Sequence, residues 1–191
     1  MNKPNNFDNT QGFGDYTPLE KGGHVCVIKQ VKEQKSTSGR NMIVIVLDTD
    51  KTDKQPHYYQ DAFDNDTRAN KKWNNNAIIR QLVLDADENC NKGFKTFIDM
   101  VEKSNNGFKV VWGDGFANCF KNKLVGVQFG GEEYEYNGSY HIAVKAQNFR
   151  TVEDVRAGRV EVPKDKLLNK DSSTGYGDPD MTPVDDGDIP F

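Results

Sequence analysis

Short blocks of alternating and continuous apolar residues, separated by polar turns, run through the middle of the chain. The stretch "HVCVIKQV" (24–31) is dense in β-branched residues and predicts a strand. "KSTSGR" follows as a turn, and "NMIVIVLDTD" as a second strand whose continuous apolar run, 42–47, predicts partial burial of both faces. Together they read as a long hairpin. After the polar loop "KTDKQP", the stretch "HYYQDAF" predicts a third, shorter strand. Residues 64–90 contain "TRANKKWNNNAIIRQLVL", basic and Asn-rich before turning apolar; the pattern defines no element there beyond a short helix fitting 77–84. "GFKTFIDMVEKSNNG" predicts a helix, because Phe94, Phe97, Ile98 and Val101 fall at i, i+3, i+4 and i+7 on one face. "WGDGF" is a turn and "KLVGVQFGG" a strand. "EEYEYNGSYHIAVKAQNF" reads as a hairpin about Asn137-Gly138. "TVEDVRAGRVEVPKDKLL" adds a helical turn and an edge. The predicted class is mainly β with one helix, in the order β-β-β-α-β-β. That is the layout of an OB-fold-like five-stranded barrel, an architecture that binds oligonucleotides or oligosaccharides.

Composition changes the picture at both ends. Residues 1–18 are rich in Asn, Gly, Asp and Pro and predict a flexible arm. Beyond residue 168 the chain is Gly, Ser, Asp and Pro, which cannot form a core, so 169–191 is expected to be a disordered acidic tail. One domain, 19–168, lies between them. No apolar run is long enough to cross a membrane, and "MNKPNNFDNTQGFGDY" lacks the apolar stretch of a signal peptide. The expected compartment is therefore cytosolic. Cys26, Cys90 and Cys119 are scattered and odd in number, against a disulfide framework. The net charge of −4 hides an asymmetry: 171–191 holds six aspartates and no Lys or Arg, and the body, 21–170, carries about +4. A basic body with an acidic tail points to a nucleic-acid partner.

The pattern of acids, histidines and cysteines supports no catalytic or metal centre. Asp48-x-Asp50 and Asp85-x-Asp87 resemble the start of a calcium loop, but the later Gly and Glu are missing, so turn chemistry is the better reading. His24-x-Cys26 has no second pair at zinc-ligand spacing and reads as core packing. Phosphate-loop and nucleophile-elbow motifs are absent from the sequence. The expectation is a non-enzymatic protein without cofactor or metal. A nuclease with scattered acids is a rival.

Bases and aromatics are mixed in a way that suits single-stranded nucleic acid, which needs cations along its backbone and flat rings under its bases. Tyr58, Tyr59 and Phe63 belong to the expected third strand, and Arg68, Lys71, Lys72 and Trp73 follow directly. Lys35 and Arg40 flank the first hairpin turn, and Tyr134, Tyr136 and Tyr140 surround the last. In an OB-fold the strand 2–3 face and the 1–2 and 4–5 loops hold the ligand. The expected DNA-binding set is therefore Lys35, Arg40, Tyr58, Tyr59, Arg68, Lys71, Lys72, Trp73, Tyr136 and Tyr140. Phe63 reads as core, and three acids beside the last tyrosines repel phosphate.

The last seven residues, "DDGDIPF", present Asp185, Asp186 and Asp188 upstream of Ile189, Pro190 and Phe191. Pro190 pushes Ile189 toward an extended conformation, so two apolar side chains and a carboxylate are offered together. This segment resembles the acidic C-terminal tip of bacterial single-stranded DNA-binding proteins. The departures are Gly187 among the acids and a short linker without Gln/Gly repeats. The body resembles a family encoded in phage replication and recombination modules of Gram-positive hosts, through "KKWNNNAIIRQL", "FIDMVEKSNNGF" and "FRTVEDVRAGRVEVPKDK". The resemblance implies a phage or prophage single-stranded DNA-binding protein in a bacterial cell. It implies DNA coating by the domain and recruitment of replication or recombination proteins by Asp185, Asp186, Asp188, Ile189, Pro190 and Phe191. The rivals are an interaction module that binds or blocks host replication proteins without holding DNA, and a strand-annealing protein.

Overall fold

β1 (Gly22–Lys35) and β2 (Asn41–Thr49) pair antiparallel around the turn at Gly39, which takes φ 83°. The computed structural model that places them describes residues 2–5, 7 and 17–168. Most of the expected arm, and the whole expected tail with Asp185, Asp186, Asp188, Ile189, Pro190 and Phe191, lie outside the described residues. The run 42–47 is buried on both faces, as its unbroken apolar character predicts. Its odd members Ile43, Ile45 and Leu47 share a face with Val125, Val127 and Phe129 and form the core. Met42, Val44 and Val46 point to the opposite face.

The third expected strand is a helix. "HYYQDAF" forms α1 (Tyr58–Asp64), entered through His57 at φ 53°. Tyr and Phe favour strands, but β-propensity is weak against context. Here the context is Asp48, whose Oδ1 accepts the amides of Tyr59 (3.0 Å) and Gln60 (3.2 Å) and so caps the helix from β2. A second correction is the reverse: part of the stretch fitted to a helix, 77–84, is β3 (Ile78–Leu82), laddered on β2 from Met42↔Leu82 to Val46↔Ile78.

The expected helix is present as α2 (Lys92–Ser104), capped by Asn91, whose side chain accepts the Gly93 amide. Its buried residues are the four that the periodicity selects: Phe94, Phe97, Ile98 and Val101. A 3-10 turn at Gly113–Gly115 and the single turn α3 (Phe116–Cys119) follow. β4 (Leu124–Tyr136) and β5 (Ser139–Arg150) form the second hairpin, with Asn137 and Gly138 both at positive φ, the geometry of a two-residue type I′ turn. α4 (Val152–Arg156) is capped reciprocally by Thr151 and Asp154.

The five strands make one antiparallel sheet in the order β3-β2-β1-β4-β5. The sheet is not closed, which corrects the expectation of a barrel. β3 has only five residues, and the 3-10 turn Asn75–Ala77, not a strand, packs beside β5. The element order also differs from β-β-β-α-β-β, since α1 precedes β3 and two short helices flank β4 and β5. After α4, residues 160–166 run as a strap against β1 and β4. Glycines make room for it: a Cβ on Gly23 would lie 2.8 Å from Val160, and one on Gly130 would lie 2.5 Å from Pro163. The strap is held where Lys166 donates to the Gly131 carbonyl and accepts from the Glu133 amide, and where Lys21 pairs with Asp165.

Candidate nucleic-acid interface

Antiparallel register lines up side chains across β1, β2 and β3 on the face turned away from Phe129. One row is Lys32, Val44 and Arg80; the rows on either side are Gln34, Met42, Leu82 and Gln30, Val46, Ile78. An apolar stripe from β2 and β3 is thus bordered by long polar and cationic side chains; the stripe itself is buried, none of Met42, Val44, Val46, Ile78 and Leu82 being more than 8% exposed, so it is the polar border that meets solvent. Lys32 and Arg80 are both half-buried, and Arg80 also reaches the Asn75 side chain (3.3 Å). Lys35 is exposed at the end of β1. Arg40 sits in the β1–β2 turn, which is closed by the Ser36 amide on the Arg40 carbonyl (2.8 Å). Lys35 and Arg40 flank the β1–β2 turn, as read, but register puts Lys35 with Glu33 and Ile43 on the other side of the sheet from Lys32 and Arg80. Lys32 and Arg80 were not anticipated. The pattern gives the third strand to "HYYQDAF", 57–63, and so passes over Ile78–Leu82 and its arginine.

The aromatic members of the expected set are placed differently. Trp73 is 7% exposed and its indole N–H donates to the Leu47 carbonyl (3.0 Å), with Phe63 packed beside it. Tyr59 is 2% exposed and stacks on Phe129. Neither ring has a face to offer a base, so both are corrected from contacts to core. The hydroxyl of Tyr58, half-buried, accepts the Leu19 amide (3.0 Å). Phe63 packs against the core, as read.

The cations of 68–72 surround α1 and its exit. Arg68 forks onto Asp66, with Nε–Oδ1 at 3.0 Å and Nη2–Oδ2 at 2.7 Å, and this pair holds the Asp66 carboxyl down at about 2. A phosphate must displace that carboxylate to reach the guanidinium. Lys71 donates to the Asp64 carbonyl (3.0 Å) and lies over the Phe63 ring, and Lys72 is exposed.

Tyr134, Tyr136 and Tyr140 are exposed on the β4–β5 hairpin, but not on one face. Register pairs Tyr134 with His141 and Tyr136 with Ser139 on one side, and Tyr140 with Glu135 on the other, with Ile142 opposite Glu133. The hairpin is a two-sided arm whose core-side face carries two glutamates.

A further exposed ring comes from "WGDGF", which reads in sequence only as a turn. Trp112 is 65% exposed and stacks on Phe116, with centroids 5.5 Å apart and planes 19° apart. It borders a groove of about 600 Å³ that also takes in Lys35, Met42 and Phe94.

His24 and Cys26 are fully buried on the core face. His24 Nδ1 lies in hydrogen-bond contact with Asp53 Oδ1 (2.8 Å) and Nε2 with the Glu20 carbonyl (3.0 Å). Burial pushes the Asp53 carboxyl up, but the His24 bond and the amides of Gln55 and Val25 outweigh it and hold it below the ordinary range. Burial drives the Cys26 thiol well up, away from the thiolate form. Asp50 and Asp85 accept nearby amides in their turns, those of Thr52 and of Asp87 and Asn89. Among the described residues no group of three or more His, Cys, Asp or Glu is arranged to hold a metal ion. No helix among them is long and apolar enough to cross a membrane.

The chain matches no protein-family model and no curated protein.

Proposed function

We propose that this chain is a non-enzymatic single-stranded DNA-binding protein with an OB-fold-like domain, acting in replication or recombination inside a bacterial cell. The observation that carries the reading is the β1–β2–β3 face. There Lys32 and Arg80 border a buried apolar stripe, and Lys35 and Arg40 stand at the adjoining β1–β2 turn, Lys35 toward the other side of the sheet. In OB-folds the strand 2–3 face and the 1–2 loop hold the strand. The connectivity supports the assignment too. The order β3-β2-β1-β4-β5 with α2 between β3 and β4 suits a barrel left open between its terminal strands. The segment "DDGDIPF" supports recruitment of partner proteins through Asp185, Asp186, Asp188, Ile189, Pro190 and Phe191, by its resemblance to the bacterial tip.

One observation favours a second reading, a protein-interaction module. The β4–β5 arm exposes Tyr134, Tyr136, Tyr140 and Ile142 among Glu132, Glu133 and Glu135, and those acids suit a protein partner better than a phosphate backbone.

Titration of labelled oligo-dT against duplex at several salt concentrations separates the two. Each phosphate neutralised on a single strand contributes a log–log slope of about −0.7. Three to five contacts give about −2 to −3.5. Lys32→Gln and Arg80→Gln should each weaken binding and flatten the slope by about 0.7. Absence of binding in low salt, or a flat response, would remove the DNA reading and leave the interaction module.

A further inference from the structure

We infer that the groove beside Trp112 is a stacking site for one unpaired nucleobase of a bound single strand; this rests on the single-strand reading above and adds to it the ring that does the stacking. Phe116 covers one face of the indole, yet the residue is 65% exposed, so the other face is open. Phe116 and Phe94 behind it are each 5% exposed, so the ring rests on fixed core side chains. A supported ring loses little freedom when a base is laid on it, the arrangement single-strand binders use without sequence preference.

The groove walls fit a base more closely than an apolar peptide side chain. Its volume, about 600 Å³, is in the range of small-ligand sites. Lys35 stands on one wall, beside the β1–β2 turn and on the side of the sheet opposite Lys32 and Arg80, where it can meet the phosphate of a nucleotide whose base lies on Trp112. Glu33 and Asp114 also line the groove. They repel phosphate from the floor and accept hydrogen bonds from amino and imino groups on base edges. The charges thus sort a nucleotide by its parts, base inward and phosphate toward Lys35. The strand would continue from the β1–β2–β3 face past the β1–β2 turn to the 3-10 turn at Gly113–Gly115, a contact outside the sheet.

The chain has two tryptophans, one exposed and one in the core, so emission can report on this site. The experiment is a fluorescence titration of the full chain with oligo-dT in low salt, beside an anisotropy titration of labelled oligo-dT. The wild type should be quenched on binding. Trp73→Phe should keep the quench. Trp112→Phe should lose it while binding within a few-fold of wild type. Trp112→Ala should keep its melting temperature and bind about 5- to 150-fold more weakly. Two results would overturn the inference while sparing the single-strand reading: a quench that persists in Trp112→Phe, or oligo-dT binding that is unchanged in Trp112→Ala. The second would point to a protein side chain as the groove's occupant. No anisotropy change with any variant would remove the single-strand reading and this site with it.

Discussion

Trp73 illustrates how a residue's neighbours mislead. Lys71, Lys72 and the asparagines 74–76 surround it, and in sequence such a ring reads as exposed. The chain is irregular there, so no period tells which way one side chain points, and the ring in fact plugs against Leu47. Trp73→Ala should therefore cost about 3–5 kcal/mol, the range for emptying a large aromatic site. Chemical denaturation would show it as a lower midpoint, with affinity per folded molecule unchanged. The His24–Asp53 pair makes a second prediction at this scale. The Asp53 carboxyl is held lower in the folded chain than in the unfolded one, whose value is about 3.9. Its stabilisation is complete above that value and is lost as pH falls through the lower folded value. Asp53→Asn, which removes the carboxylate shared by His24 and the Val25 and Gln55 amides, should cost about 1.5–3 kcal/mol at neutral pH. The gap between wild type and variant should narrow below about pH 4, as followed by thermal melts across the acid range.

Among the elements, legibility followed how local the stabilising information is. α2 carries its own evidence, four apolar residues at helical spacing and an asparagine cap, and was readable whole. The β4–β5 hairpin was readable because Asn-Gly sets the turn. α1 was not, because its cap is Asp48, ten residues before its first residue and on another element. β3 was not, because Ile78, Ile79 and Leu82 satisfy both periods, and the ladder with β2 decides between them. The same lesson covers the interface: Lys35 and Arg40 flank a recognisable turn, whereas Lys32 and Arg80 become neighbours only through register. A seven-residue helix is marginal alone, so α1 should depend on its remote cap. Asp48→Ala should cost about 0.5–2 kcal/mol and speed hydrogen exchange at Tyr59 and Gln60 ahead of β2. Asp48→Asn should be far milder. Burial pushes the Asp48 carboxyl up against the amides of Gln60, Tyr59 and Thr49, so folding prefers it uncharged. That contribution is present at low pH and lost as pH rises through the raised value, the opposite sense to Asp53.

At the scale of the whole molecule, the open sheet divides the surface by charge and chemistry. The β1–β2–β3 face carries Lys32 and Arg80, the Trp112 groove combines a supported ring with Lys35, Glu33 and Asp114, and the β4–β5 arm gathers tyrosines and glutamates. On the reading proposed above, a strand of nucleic acid and a protein partner would be held at separate places. The strap 160–166 has a consequence of its own. β1 begins opposite Phe129, so residues of β4 beyond that point have no β1 partner, and Lys166 supplies the bonds at Gly131 and Glu133 instead. Taken away, the strap would leave a raw strand edge whose amides and carbonyls could template another chain. A chain ending at Gly158 should keep most of its secondary structure by circular dichroism, yet grow into concentration-dependent assemblies by light scattering. A shortened chain that stays monodisperse would show that the edge is guarded by something else. The strap, on this view, is what keeps one copy of the chain from pairing with the next.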